Sequence, residues 1–323
     1  MDRKPSTAGG GTAEVVCIAS WNADLISRVA RPIARGETLM AHSFSISPGG
    51  KGSNAAVAAA RQGARVALIA RIGDDDFGRM GMDLWQAEGI ATGHVERAAG
   101  ERSGVAQILV YDDGDNSIAV YPGAGAGLAA RHAQAAHALL ADCRVVMASC
   151  EVPLEATLQA FRTARAGGAM TILNPAPARP LPDELLALVD VLTPNESDLR
   201  QLAGPAHSGS IDQAATRLLA RGTRAVLVTL GASGCRLYQA GHETMALAGR
   251  VMPVLDTIGA GDTFTGALTA SLARGDSLAN AVQWANAAAA LSVTRQGAVA
   301  GIPTLAEVAA LLGVVEPRAG QQA

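Results

Sequence analysis

Val254-Leu255-Asp256-Thr257-Ile258-Gly259-Ala260-Gly261-Asp262-Thr263-Phe264-Thr265-Gly266 is the stretch on which the fold is decided. The apolar run closed by Asp256 reads as a strand, Gly259, Ala260 and Gly261 as a turn of small residues, and Asp262-Thr263 as the opening of an apolar-periodic helix running to Arg274. A strand, a glycine turn and a helix N-terminus make a site for a phosphate-sized anion, because unpaired backbone N–H groups and the helix dipole both favour negative charge. A carboxylate at such a place has two readings. Asp262 can cap the helix, or it can be a general base that takes the proton from a hydroxyl attacking a bound phosphoryl group.

Outward from this stretch, the composition agrees with a strand–helix alternation. The chain is 49% hydrophobic and 3% aromatic, so a large core is available and is built from Ala, Val and Leu. Ala-rich helical segments alternate with Val/Ile/Leu runs, which predicts an α/β protein. A net charge of −3 offers no electrostatic basis for a nucleic-acid or anionic-membrane partner. The apolar runs fall well short of the ~20 residues that span a bilayer. Residues 1–12 are polar and Gly-rich without an apolar core, which predicts a disordered tail rather than a signal peptide. Cys17, Cys143, Cys150 and Cys235 have no C-x-x-C spacing and read as reduced thiols of a cytoplasmic protein.

Val15 to Ala19 is a candidate first strand, and it leads into Ser20-Trp21-Asn22-Ala23-Asp24, where Asn22 and Asp24 are turn residues or, if the segment is extended, two polar groups aimed to one side. Pro48-Gly49-Gly50-Lys51-Gly52-Ser53-Asn54 lacks the spacing of a phosphate-binding G-x-x-x-x-G-K-[ST] loop; its glycines suit close backbone approach to a small polar ligand, with Asn54 capping an Ala-rich helix to Arg61. Gly73-Asp74-Asp75-Asp76-Phe77-Gly78 reads only as a helix start. Two alternating runs, Val105 to Tyr111 and Ser117 to Tyr121, flank a hairpin turn and, with residues 36–47, predict a small β lid; a lid suits phosphoryl transfer because water must be kept out. Glu151 follows a strand-like run at a place where open α/β sheets bind ligands, although a solvated loop acid is the simpler reading. Asn195 reads as a helix cap, Thr229 to Gly234 as a small-residue loop, and Leu278 to Thr294 as two nearly continuous helices.

Asp256 to Phe264 resembles the D-T-x-G-A-G-D signature of the ribokinase-like (PfkB) sugar and nucleoside kinases, and Gly49-Gly50-Lys51-Gly52-Ser53-Asn54 resembles that family's N-terminal signature. The resemblance covers Val15 to Pro303. It implies a three-layer α/β/α Rossmann-like body, a single domain over residues 13–315 whose lid segments lie at about 36–47 and 103–121, followed by a tail at 316–323. It also implies ATP-dependent phosphorylation of a sugar hydroxyl, with O5 of D-ribose as the acceptor. Deoxyribose, fructose or a nucleoside would keep the chemistry, the scarcity of aromatics speaking against a nucleoside; a non-catalytic sugar- or nucleotide-binding protein is the reading from another class.

Residue by residue, the resemblance makes Asp262 the base, with Gly259, Ala260 and Gly261 supplying amides to the transferring group. Asn22, Asp24, Gly50, Lys51, Gly52, Asn54 and Glu151 would meet the sugar, although Ala19 and Trp21 depart from the family's G-S-x-N-x-D. Asn195, Thr229, Gly231, Ala232, Ser233, Gly234, Gly261 and Asn286 would meet the nucleotide. Asp198 stands where the family has Glu in the magnesium network, and Glu196 is a nearby alternative. Potassium would sit among Asp256, Ile258, Ser292, Arg295 and Gly297, with Gly301 where the family often has Ser. A homodimer joined through the lid is the implied assembly.

Overall fold

In the computed structural model, which describes residues 13–204 and 209–315, the first apolar run forms β1 (Val15–Ala19), all of it buried. The chain then departs for a second sheet through β2 (Asn22–Val29) and β3 (Ser43–Gly49), and returns as the helix Lys51–Arg61 to lay down β4 (Val66–Gly73), the helix Asp76–Ala87 and β5 (Ala91–Ala98). After a second excursion, β6 (Gly104–Tyr111) and β7 (Asn116–Tyr121), the larger sheet is completed by β8 (Val145–Ser149), β9 (Met170–Asn174), β10 (Val191–Leu192), β11 (Ala225–Thr229), β12 (Cys235–Gln239) and β13 (Met245–Leu247). The expected tails at 1–12 and 316–323 lie outside the described residues.

The larger sheet runs β13-β12-β11-β10-β9-β8-β1-β4-β5, with β1 parallel to both β8 and β4 and only β12 opposed to its neighbours. Alternate residues of its strands feed two cores. Cys17, Leu68, Met147 and Leu227 pack with the helices Lys51–Arg61, Ala260–Arg274 and Leu278–Ser292, whereas Ile18, Ile69, Val146 and Val226 pack with the helix Leu154–Ala166 on the other face. Burial on both faces explains why these strands read as unbroken apolar runs. The result is the expected three-layer α/β/α body. The chain moves outward on one side of β1 to β4 and β5 and on the other through β8 to β11, so the strand order reverses at β1. That is where the C-terminal ends of parallel strands open a crevice for a ligand.

The smaller sheet is ordered β3-β2-β6-β7, with β2 and β6 parallel. The expected lid segments contribute β3, β6 and β7, but residues 36–42 form no strand, and β2, which is polar at Asn22, Asp24, Ser27 and Arg28 and so reads as a turn, is a central lid strand. Three further expectations change. The run ending at Asp256 is not a strand: Val251, Val254 and Leu255 are exposed, and the N–H groups of Leu255 and Asp256 both donate to the carbonyl of Val293. The helices begin earlier than read, at Lys51 and Ala260, so Asn54 and Asp262 lie inside the first turn and cap nothing. The two helices expected after Leu278 are one, Leu278–Ser292. Among the described residues no helix is long and apolar enough to cross a membrane.

The helices Lys51–Arg61 and Ala260–Arg274 cross where a Cβ on Gly266 would stand 2.3 Å from the Ala55 carbonyl oxygen and 2.6 Å from Ala58 Cβ. Gly266→Ala should therefore overpack this crossing and destabilise the fold by about 1–3 kcal/mol, despite the gain in helix propensity. Urea unfolding measures this, and a variant at least as stable as the parent would show that the helices can separate freely.

Candidate active site

Four turns meet at the reversal point of the sheet. The helix Lys51–Arg61 starts from Gly50, held at φ 91°, and its leading amides have found partners: Lys51 N–H donates to Glu151 Oε2 at 2.8 Å, Gly52 N–H to Ser20 Oγ at 3.0 Å and Ser53 N–H to the Ser20 carbonyl at 3.1 Å. Ser20 Oγ in turn donates to Glu151 Oε2 at 2.7 Å. Glu151, from the turn after β8, is thus a cap supplied from elsewhere in the chain and not a solvated loop acid; its Oε2 takes two donors.

Asn22 and Asp24 open β2 on the same face, as an extended segment requires. Their neighbours leave room for them. A Cβ on Gly104 would lie 2.3 Å from Asn22 Oδ1, and one on Gly49 would lie 2.1 Å from Asp24 Oδ1. Across from them Asp262, only 6% exposed, accepts a 2.9 Å hydrogen bond from Asn54 Nδ2 on Oδ2. Asn54 Oδ1 is buried with no partner among the described residues. Lys51 lies among Asp262, Glu151, Asp198 and Asp24, and their charges, Asp262's foremost, raise its pKa. Apart from Lys4, it is the only lysine in a chain otherwise supplied with arginine.

These charges set the acids. Burial, with Glu151 and Asp262 nearby, raises Asp24 to about 7. Asp262 is raised by burial to about 6, with Lys51 and Asn54 opposing. Burial also raises Asp198, opposed by Lys51 and by backbone hydrogen bonds from Asn195 and Ala178; its Oδ2 is buried without a hydrogen-bond partner among the described residues.

The expected nucleotide side is assembled from the neighbouring strand ends. Asn195 caps the helix Glu196–Ala203, accepting the Asp198 N–H at 2.7 Å, and forms a bridge to Thr229. Gly231, Ala232 and Ser233 form a single 3-10 turn, and Gly234 follows at φ 92°. Asn286 Nδ2 donates to the Ala248 carbonyl at 3.0 Å, so it ties the segment beyond β13 to the helix Leu278–Ser292. At the central turn, Gly259 is left-handed at φ 77°, and Ala260 N–H turns back to the Thr257 carbonyl at 3.3 Å. Helix geometry leaves the N–H groups of Gly261 and Asp262 without an intrahelical partner, and the space around Gly261 is open to 4 Å.

Behind the turn, Asp256 accepts the Ile258 N–H and the Gly297 N–H, both at 2.9 Å, which joins the two loops expected to hold a cation. A Cβ on Gly301 would lie 2.7 Å from the Ser292 carbonyl oxygen and 3.7 Å from that of Arg295, so both carbonyls converge on a position without a side chain. Among the described residues, no group of three or more His, Cys, Asp or Glu side chains is placed to hold a metal.

The pfkB family carbohydrate kinase pattern matches residues 12–305. The chain belongs to that family. It is 38% identical over 292 residues to a ribokinase of Haemophilus influenzae, a match covering 90% of this chain and 95% of the relative. It is 34% identical over 295 residues to a deoxyribokinase of Salmonella typhi, covering 90% and 96%. The solved structure of Arabidopsis thaliana ribokinase complexed with ribose and ATP is similar with a TM-score of 0.87 and 29% identity, over 94% of this chain and all (100%) of that one.

Sequence reading gave no role to Ser20 or Gly104, and named Gly49 only within the glycine motif. Ser20 carried no signal beyond its place in the quoted turn, and Gly104 begins a strand, where its role depends on a partner strand far away in sequence.

Asp24 and Asp262 both have folded-state pKa values above the ordinary carboxylate value, so the native state holds protons that the unfolded chain releases. Their contribution favours the fold below about pH 4 and is lost as pH rises to about 7. Asp24→Asn, neutral and of the same size, should therefore be more stable than the parent at pH 8 by about 4 kcal/mol and nearly indistinguishable at about pH 4. Urea unfolding at both pH values checks this, and equal stability at pH 8 would contradict the raised value.

Proposed function

We propose that this carbohydrate kinase transfers the γ-phosphoryl group of ATP to O5 of D-ribose, with Asp262 as general base. The observation that carries the reading is the buried Asp262–Asn54 pair at the mouth of a helix N-terminus, facing the polar set Asn22, Asp24 and Glu151. The similarity to ribokinases, one of them complexed with ribose and ATP, supports the acceptor and the donor. The comparable identity to a deoxyribokinase makes 2-deoxyribose the second acceptor to test.

Asn22, Asp24, Gly50, Lys51, Gly52, Asn54 and Glu151 hold the sugar. Asn54 fixes one Asp262 oxygen and turns the other toward the attacking hydroxyl, whose proton it takes as the oxygen bonds to phosphorus and the bond to ADP breaks. A base raised to about 6 remains mostly ionised at neutral pH, yet binds a proton more readily than a surface carboxylate. The amides of Gly261 and Asp262, with Gly259 and Ala260 shaping the turn, stabilise charge on the phosphoryl oxygens. Asn195, Thr229, Gly231 to Gly234 and Asn286 line the nucleotide side.

The carboxylates Asp24, Glu151, Asp198 and Asp262 surround a single ammonium, so a nucleotide triphosphate needs added positive charge to approach. A magnesium ion carried by the nucleotide would supply it, and Asp198, whose Oδ2 has no hydrogen-bond partner among the described residues, would meet its water shell. The carbonyls of Ser292 and Arg295, which converge beside Gly301 near Asp256, Ile258 and Gly297, would hold a potassium ion, and there it would shape the anion-binding turn. Exposed Phe44, Ile46, Ile118, Val120 and Tyr121 on the lid support a homodimer joined there. The use of ATP suits a cytoplasmic enzyme.

The test is ADP release with ATP and magnesium against D-ribose, 2-deoxyribose, fructose and adenosine, in potassium and in sodium. Turnover should be greatest on ribose and higher in potassium. Asp262→Asn should lower kcat by about 10²–10⁴ while retaining ATP binding by calorimetry; near-parental turnover in that variant would remove the base assignment, and preference for 2-deoxyribose would move the acceptor.

A further inference from the structure

The acidic turn Gly73 to Gly78, which reads from sequence only as a helix start, does more in the fold. Asp75 caps the helix Asp76–Ala87, its Oδ1 accepting the Gly78 N–H at 2.9 Å. The same carboxylate accepts Ser103 Oγ–H at 2.6 Å on Oδ1 and Ser103 N–H at 2.9 Å on Oδ2, and Ser103 Oγ accepts the Gly73 N–H at 3.0 Å. Ser103 is fully buried and immediately precedes β6. Two residues beyond Asp75, the Phe77 carbonyl accepts Trp21 Nε1–H at 3.0 Å, and Trp21 immediately precedes β2. The Trp21 ring lies edge-on to Trp85 at 5.4 Å and so close to Gly81 that a Cβ there would stand 2.9 Å from it.

One helix start thus grips the roots of both central lid strands, at the step where Asn22 and Gly104 pair. A Cβ on Gly73 would meet Ser103 N at 2.4 Å, so the joint has no slack on that side. Nothing in this joint touches the reacting groups.

We propose that Asp75 and Ser103 latch the lid at its root and act as positioning residues: by fixing where β2 and β6 leave the body, they place Asn22 and Asp24 and keep water from competing with the sugar for the phosphoryl group. This rests on the kinase reading above. With the latch loosened, a water oxygen attacks the γ-phosphorus in place of the sugar hydroxyl, the bond to the ADP oxygen breaks, Asp262 takes the proton, and the products are ADP and inorganic phosphate.

Ser103→Ala removes both hydroxyl bonds and leaves the backbone bond to Asp75. At saturating sugar, inorganic phosphate formed per sugar phosphate should rise about tenfold over the parent, with KM for the sugar up several-fold, KM for ATP unchanged and kcat within about threefold. The exposed neighbour Asp76, changed to Asn, should leave the ratio alone. Hydrogen–deuterium exchange of the sugar-free protein gives a readout independent of turnover: amides of β2 and β6 should exchange about tenfold faster in Ser103→Ala, and those of β8 should not change. If the parent phosphorylates no sugar, the kinase reading fails and the exchange arm still decides the latch. If Ser103→Ala does not fold, Asp75→Asn, which keeps an oxygen for the Gly78 cap, takes its place. A folded variant with parental exchange in β2 and β6, or with unchanged phosphate ratio and sugar KM in an active enzyme, overturns the proposal.

Discussion

Gly266 carries no side chain, and the Ala55 carbonyl oxygen occupies the space one would need. That contact joins two helices far apart in the chain and brings Asn54, one turn into the first, within 2.9 Å of Asp262, one turn into the second. Both residues sit inside first turns and not at caps, so each points along its helix into the crevice where the two N-termini converge. Were the helices a side chain further apart, Asp262 would lose the one hydrogen bond that orients it, and it would be a buried carboxylate with a raised pKa and nothing to hold its direction. The rest of the site is arranged around a pair that exists only because this crossing is close.

Charge gives the arrangement its second constraint. Several carboxylates share one ammonium, and in the ligand-free protein burial and mutual repulsion drive Asp24 and Asp262 toward protonation. Such a cluster is costly for stability and useful for chemistry. An acid held near neutrality can exchange a proton at physiological pH, and the excess of negative charge makes the approach of a triphosphate depend on accompanying cations. The polar groups are satisfied economically: one Glu151 oxygen caps a helix and takes a second donor, and Ser20 accepts from Gly52 while donating to Glu151.

The body of the fold was legible because parallel strands buried on both faces leave unbroken apolar runs, such as Val15 to Ala19, separated by Ala-rich helices. The glycine turns and Asp262 were legible because small residues before a helix have few other uses, and the family resemblance then ordered the remaining motifs. What sequence reading lost were features that depend on a distant partner. β2 looked like a turn because Asn22 and Asp24, two small polar residues, open it. The run ending at Asp256 looked like a strand because its apolar content is real, yet its backbone pairs with Val293 and its side chains stay in solvent. Asn54 looked like a cap because helix starts and site residues favour the same small polar side chains.

Asp75 belongs with these losses, since an Asp before a helix is explained by capping alone and invites no further question. Its carboxylate, however, takes three donors from two segments, and only one of them belongs to its helix. The lid's own contacts hold it weakly, because a small sheet that buries Val29, Ala106, Ile108 and Tyr111 but leaves Phe44, Ile118 and Tyr121 exposed has only a thin core of its own. Its position must come from where its strands leave the body. β1 ends at the crevice and passes through Trp21 into β2, so the chain that carries Asn22 and Asp24 is held at its root through Trp21 and Ser103. The placement of Asn22 and Asp24 is therefore set from behind, by a helix start on the body.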